Sequence, residues 1–367
     1  LKSDQWVHTH NITQRSLDWW EKQDPDIRKM MTAFTDGIND YANENPDEID
    51  DLNQSILPAR PEDCFSHFQR VILFHFVTNP GIATFNPASI IKDRGSNTWA
   101  IGPSRSESGN AMLIANPHLP WFDMFTWFEA HTISHDLNAY GAGLVGMPFL
   151  GIAFNDYMGW SHTNNVHDGQ DLYELTLIDD GYQWGDGIQH FDERTVEIKV
   201  RNDDGNMTAS EFLIRESVHG PVVSEKDGKA YALRVVGLDQ PHVFRQYFDM
   251  ARAKTLKSFQ DAIRPLQNPY FTIMYADKDG HIMHVFGGRT PIRPAGDWNW
   301  LDVVPGVSPE TIWNETHSYD ELPKSIDPES GWLQNANDPP WTTTFPRAII
   351  RKNYPDYMSQ NFMHFRA

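Results

Sequence analysis

The chain has 367 residues, a hydrophobic fraction of 40%, and 50 Asp and Glu against 30 Lys and Arg, for a net charge of −20. That length buries a sizeable core, and the acidic balance excludes a nucleic-acid backbone or an anionic membrane surface as partner. A single cysteine, Cys64, excludes an intrachain disulfide framework and a CxxC-type zinc ribbon. The 13 Trp, 12 Tyr and 21 Phe suffice for a thick core or for the walls of a pocket that takes flat or greasy ligands. No apolar run approaches the ~20 residues of a membrane span. The opening Leu1-Lys2-Ser3-Asp4 has no signal-peptide core and no initiator Met, so the natural N-terminus is expected upstream.

In chain order, Asp24 and Pro25 read as an N-cap and a first-turn proline. Ile27, Met30, Met31, Phe34, Ile38 and Tyr41 then follow at steps of three and four on one helical face, and Asn45-Pro46 stops the helix. A second helix is predicted from Pro61 to about Val77, before Asn79-Pro80-Gly81 breaks the chain. Beyond Gly95 the texture turns to β. Trp99–Ile101 and Met112–Ala115 flank a turn-rich Ser106–Asn110 and read as a hairpin. Further strands are expected at 125–133, 150–154, 172–177, 195–200, 212–215, 231–236 and 272–275, interrupted by a helix at about Leu256–Ile263. Strands that follow a helical block argue for α+β with antiparallel sheet rather than βαβ alternation. The one boundary falls near residues 79–95.

Gly141-Ala-Gly-Leu-Val-Gly146 matches the dinucleotide fingerprint, but Pro148 and Gly151 follow where a helix would have to start. The expectation is a turn between strands. His131 and His135 sit four apart on a strand, where that spacing does not converge on one metal. His8, His10, His281 and His284 read as surface or core histidines, and zinc is not expected. The aromatic and acidic composition keeps one other class open. A carbohydrate-binding or glycoside-cleaving protein would use Trp platforms and paired carboxylates such as Asp302 and Glu310, although such pairs are easily found among 50 acids.

Residues 95–120 read Gly-Ser-Asn-Thr-Trp-Ala-Ile-Gly-Pro-Ser-Arg-Ser-Glu-Ser-Gly-Asn-Ala-Met-Leu-Ile-Ala-Asn-Pro-His-Leu-Pro. This segment resembles the start of the β-subunit in the penicillin acylase family of N-terminal nucleophile hydrolases, which includes acyl-homoserine-lactone acylases. Gly159-Trp160-Ser-His-Thr-Asn164 and Gln334-Asn335-Ala336-Asn337 resemble two further family segments. His219-Gly220-Pro221 and Tyr275-Ala-Asp277, with Gly280 after it, resemble structural signatures.

The resemblance implies a four-layer αββα sandwich of antiparallel sheets. It also implies autoproteolysis after Gly95, leaving Ser96 as the new N-terminus and the nucleophile. Residues 1–95 would then be the C-terminal part of a small α-subunit, mainly helical, and residues 96–367 the N-terminal part of a large β-subunit, truncated at both ends relative to the family. The Asn164 backbone N–H and the Asn337 amide would form the oxyanion hole, with Arg366 organising the site around Asn337. His118 would position Ser96 and the scissile amide. An N-terminal serine suits this chemistry because a free α-amino group, with a pKa of about 7.7–8.0, supplies the base that a weak hydroxyl nucleophile needs. Gly95, without a Cβ, tolerates the distorted peptide that Ser96 would attack.

The implied substrates are N-acyl compounds such as penicillins or acyl-homoserine lactones, and the implied subunits pair as a heterodimer in the periplasm. Leu119, Trp121, Phe122, Phe149 and Ile152 are candidate acyl-pocket residues, and side chains of these types serve equally as core. No cofactor is expected for catalysis. Asp168 and Asp171 stand where the penicillin G-type enzymes place two carboxylates on a structural calcium, with no third carboxylate matched; the alternative is a solvated acidic turn.

Overall fold

The computed structural model describes residues 2–78, 81–82, 95–202 and 205–359. The N-terminal block is helical: α1 (Lys2–Thr9), α2 (Ile12–Glu21), α3 (Pro25–Glu44), α4 (Asp51–Gln54) and α5 (Pro61–Phe68). The α3 helix begins with Pro25 at its first position, as expected, but Asp24 makes no side-chain cap; its carboxylate meets Arg245 at 3.1 Å instead. The buried stripe of α3 runs through Ile27, Met31 and Thr35 and then ends. Ile38 and Tyr41 are 38% and 53% exposed, because that end of the helix overhangs the core. The helix predicted to run to Val77 changes character at Gln69. Residues Gln69–Val77 form a π-helical segment in which Thr78 N–H reaches back to Leu73 O. Widened segments of this kind often occur beside functional sites.

The strands are β1 (Gly95–Ile101), β2 (Met112–His118), β3 (Trp127–Ile133), β4 (Asn138–Leu144), β5 (Ile152–Asn155), β6 (Met158–Thr163), β7 (Gln170–Ile178), β8 (Gly181–Trp184), β9 (Gly187–His190), β10 (Asp192–Arg201), β11 (Met207–Ser217), β12 (Gly220–Lys226), β13 (Lys229–Val235), β14 (Thr272–Asp277), β15 (Ile282–Val285), β16 (Val304–Pro305), β17 (Lys324–Ile326) and β18 (Trp332–Asn335). Two helices, α6 (Val243–Arg252) and α7 (Leu256–Ile263), separate β13 from β14. The hairpin read from the sequence is present as β1–β2, with Trp99 opposite Ile114.

Three sheets result. β18-β1-β2 is a small antiparallel sheet, β17-β15-β14-β6-β5-β4-β3 a seven-stranded antiparallel one, and β10-β11-β12-β13-β7-β8-β9 an outlying sheet to which β16 adds a parallel pairing with β7. The side-chain alternation of β6 sets the layers. Ser161 points at the small sheet, where its hydroxyl meets Thr98 Oγ1 at 2.9 Å. Trp160, on the opposite face, packs on Phe259 of α7. Helix, sheet and sheet therefore stack in order, in the α+β class expected.

The glycine fingerprint is a strand rather than a turn: Gly141 and Gly143 lie within β4, and only Gly146, at φ +86°, occupies the turn behind it. A Cβ on Gly141 would stand 2.4 Å from the Ala153 Cβ, so glycine there lets β5 approach. The core joins the N-terminal helices to α6, with the Phe65 and Phe244 rings stacked at 4.6 Å and Trp19 edge-on to Phe65.

Candidate active site

Ser96 lies in the middle strand of the small sheet and is 4% exposed. The Gly95–Ser96 peptide bond lies inside β1, with Gly95 opposite His118 and Ser96 opposite Pro117 on β2. The even-numbered residues Ser96, Thr98 and Ala100 are buried, so the sheet aims Ser96 inward.

Two N–H donors converge on its hydroxyl. The Asn164 backbone N–H, one residue past β6, donates to Ser96 Oγ at 2.8 Å, and Asn337 Nδ2 donates to the same atom at 3.2 Å. Asn337 Oδ1 accepts from Ser96 N–H at 2.9 Å, and Nδ2 also donates to Asn164 O at 3.1 Å. Strands far apart in sequence meet here because β1 lies between β18 and the face of β6.

Asn337 holds a left-handed backbone, φ +70°, which asparagine tolerates better than most residues. Its neighbours impose this conformation. Asn335 Oδ1 accepts from Asn337 N–H at 3.0 Å and from the Thr163 hydroxyl at 2.7 Å. Asp338 Oδ1 accepts from Ala336 N–H at 2.6 Å, while Oδ2 accepts from Gln334 Nε2 at 2.8 Å and from the Thr342 hydroxyl. The supporting roles of Asn335 and Asp338 went unread in the sequence, although both lie in or beside the Gln-Asn-Ala-Asn motif.

An apolar cavity opens beside Ser96, and concave, mostly apolar clefts are the usual form of small-molecule sites. Ile72 and Phe76 of the π-helical segment, Leu144, Met147, Leu119, Phe149 and Ile152 all line it. The helical block thus supplies one wall and the sheet the other. His162 is a polar side chain in that wall. Burial, opposed only by the Thr272 backbone, pushes its pKa down to about 4, so the ring is neutral. Tyr247, also in the lining, has its hydroxyl oxygen engaged outside the cavity, where it accepts from Asn268 Nδ2 at 2.5 Å.

Trp121 and Phe122 are not in this cavity. They are 94% and 69% exposed, because the chain turns outward after β2. His118 is the half-buried last residue of β2. Arg366 lies outside the described residues.

Asp168 and Asp171 are no solvated turn; they are 7% and 2% exposed. Arg293 fills the space between them, with NH2 3.1 Å from Asp168 Oδ2 and Nε 3.1 Å from Asp171 Oδ2. Burial pushes both carboxyls up, against the pull of that guanidinium. No group of three or more His, Cys, Asp or Glu suited to a metal occurs among the described residues. Calcium needs six to eight oxygens, and a cation already occupies these two carboxylates, so the residues present do not fit it.

The sequence model of the penicillin amidase family matches residues 1–367. The chain is 26% identical to an acyl-homoserine lactone acylase PvdQ of Pseudomonas savastanoi pv. phaseolicola, covering 98% of this chain and 53% of the relative. It is 29% identical to a penicillin acylase 2 proenzyme of Pseudomonas sp. strain SE83, covering 73% of this chain and 35% of the relative. Among solved structures it is similar to a thermostable penicillin G acylase from Alcaligenes faecalis, at a TM-score of 0.60 and 25% identity over 71% of this chain and 47% of that one. The chain therefore spans about half the length of the first curated relatives it matches. None of these relatives supports the carbohydrate-binding or glycoside-cleaving alternative, and the structural likeness carries the N-terminal nucleophile hydrolase fold. The chain belongs to the penicillin amidase family.

Proposed function

We propose that this chain belongs to an N-acyl amide hydrolase that cuts itself between Gly95 and Ser96 and then uses Ser96 as nucleophile. The observation that carries this reading is the convergence of Asn164 N–H and Asn337 Nδ2 on Ser96 Oγ at the mouth of an apolar cavity. In the uncut chain the two donors hold the hydroxyl. Cleavage frees the Ser96 amine, the hydroxyl turns toward substrate, and the same donors face the carbonyl oxygen on which charge develops.

The Ser96 amine takes the Oγ proton as Oγ attacks the acyl carbon, and Asn164 N–H and Asn337 Nδ2 stabilise the oxyanion. The C–N bond then breaks, the ammonium returns the proton to the leaving amine, and an acyl-ester remains on Ser96. Water, deprotonated by the same amine, releases the acid and regenerates the serine. No step calls on a cofactor. His118, opposite Gly95, is assigned to positioning, and Arg366 to organising Asn337, as in the family.

The substrate class is an amide with a greasy acyl group. Each buried methylene contributes about 0.8 kcal/mol, roughly fourfold in affinity, so extended acyl chains are favoured. Homoserine lactones and penicillins are the leaving-group candidates, in keeping with the names of the relatives. The two pieces remain together as a heterodimer, since Ile72 and Phe76 from one side and Phe149 from the other share the cavity wall. Export to the periplasm belongs to the same reading and rests on family membership alone. Assaying Ser96→Ala and wild-type protein on a long-chain acyl amide tests the proposal: the variant stays inert, and equal activity overturns it.

A further inference from the structure

The Arg293 side chain is fully buried, and its Nε and NH2 groups meet only oxygens of the kind that ligate hard metal ions. Besides the two carboxylates, its NH2 donates to the backbone carbonyls of Asp168 at 3.2 Å and Gln170 at 3.3 Å. Trp313 Nε1 donates to Asp171 Oδ2 at 2.6 Å and fixes that carboxylate from behind. The rings of Trp300 and Tyr357 lie 5.5 and 5.6 Å from the guanidinium carbon. A planar fork meets carboxylate and carbonyl oxygens in fixed directions, as lysine's point charge does not.

The location gives the cluster a purpose. Residues 164–169 join β6 to β7 with no regular structure. The near end of this connection carries the Asn164 N–H that points at Ser96. There Asn165 Nδ2 donates to Gly287 O at 2.6 Å, and Asn165 O accepts from the Tyr270 hydroxyl at 3.0 Å. Arg293 grips the far end through Asp168 O, Gln170 O and Asp171.

We infer that Arg293 is a built-in cation that replaces a bound divalent metal at this site, and that it is a positioning residue for the Asn164 donor. The protein then needs no calcium to fold or to hold its oxyanion hole. The positioning half rests on the hydrolase reading; the calcium half does not.

The test uses the purified protein and CaCl2 as the probe. Thermal unfolding and titration calorimetry are run with added CaCl2 and with EDTA, on wild type and on the inert Ser96→Ala chain, so this arm reads the cation site without any activity. The expected result is no binding heat and an unchanged Tm in both. A calcium-dependent heat or a Tm shift overturns the inference even if Arg293 variants fail to fold. Arg293→Met is expected to lower Tm by on the order of 10 °C. It is also expected to lower kcat on an acyl amide about tenfold or more at little-changed KM, with Arg293→Lys restoring part of both. An Arg293→Met protein as stable and as fast as wild type overturns the inference as well. If wild type itself proves inert while the calcium arm behaves as expected, the hydrolase reading has failed and the built-in cation stands.

Discussion

Asn337 grips Ser96 at both ends: its Oδ1 accepts from the Ser96 N–H at 2.9 Å while its Nδ2 donates to Ser96 Oγ at 3.2 Å. One amide therefore fixes the backbone and the hydroxyl of the same residue, and Asn337 is itself fixed by the Asn335 side chain. Asn337→Ala is expected to lower kcat by about 10²–10³, the ~2.7–4 kcal/mol typical of one lost oxyanion donor. Asn337→Gly, which suits φ +70°, keeps the backbone and is expected to lose as much activity with less loss of stability. Undiminished kcat in the glycine variant contradicts the assigned role.

On the proposed hydrolase reading, the cavity wall is expected to set acyl-chain preference. Ile152→Trp fills space beside Ser96, and overpacking of this kind costs about 1–3 kcal/mol. The ratio of kcat/KM for a long over a short acyl amide is expected to fall roughly 10- to 100-fold. Trp121→Ala, at a 94% exposed position outside the cavity, should leave that ratio alone. Acyl-chain profiles of the two variants check this, and a reversed pattern places the pocket elsewhere.

Stability is expected to fall on mild acidification. Burial pushes His10, His167 and His284 down to about 3 and His162 and His219 to about 4, whereas an unfolded histidine titrates near 6.5. Below pH 6.5 the unfolded chain takes up protons that the folded chain refuses. The stability these five rings give is therefore present above 6.5 and drains away toward their folded values. Asp168 and Asp171 oppose this, since burial raises their folded values against the pull of Arg293 and the folded chain takes up their protons first. Five histidines outweigh two carboxyls, each proton being worth about 1.4 kcal/mol per pH unit. Tm measured from pH 7.5 to pH 5 should drop; a flat or rising Tm refutes the assignment of neutral rings.

The base is expected to be the Ser96 amine. The acid limb of kcat/KM should then titrate near the ~7.7–8.0 of a free α-amino group. His118→Gln should lower the rate without moving that limb. Loss of the limb in His118→Gln makes His118 the base instead.

The site was legible in the sequence because its chemistry is confined to short strings: Gly95-Ser96-Asn97, the Asn164 segment and the Asn337 segment. Their convergence was not legible, since residues 241 positions apart meet only through the β18-β1-β2 order. Arg293 was missed for the same reason, standing 122 positions from Asp171 with no motif around it. The α6 helix had a usable signal in Val243, Phe244, Tyr247 and Met250, all buried at helical spacing. The α1 helix had little, for it buries no residue. Trp121 and Phe122 misled because nearness to His118 in sequence says nothing about which way a loop turns.

The central claim is that the Gly95–Ser96 bond is cut to create the nucleophile, and N-terminal sequencing with intact mass of active, purified protein tests it most directly. The account predicts two polypeptides, the larger beginning Ser96-Asn97-Thr98-Trp99, and a single uncut chain in Ser96→Ala. A chain intact across Gly95–Ser96 that hydrolyses acyl amides at full rate contradicts it.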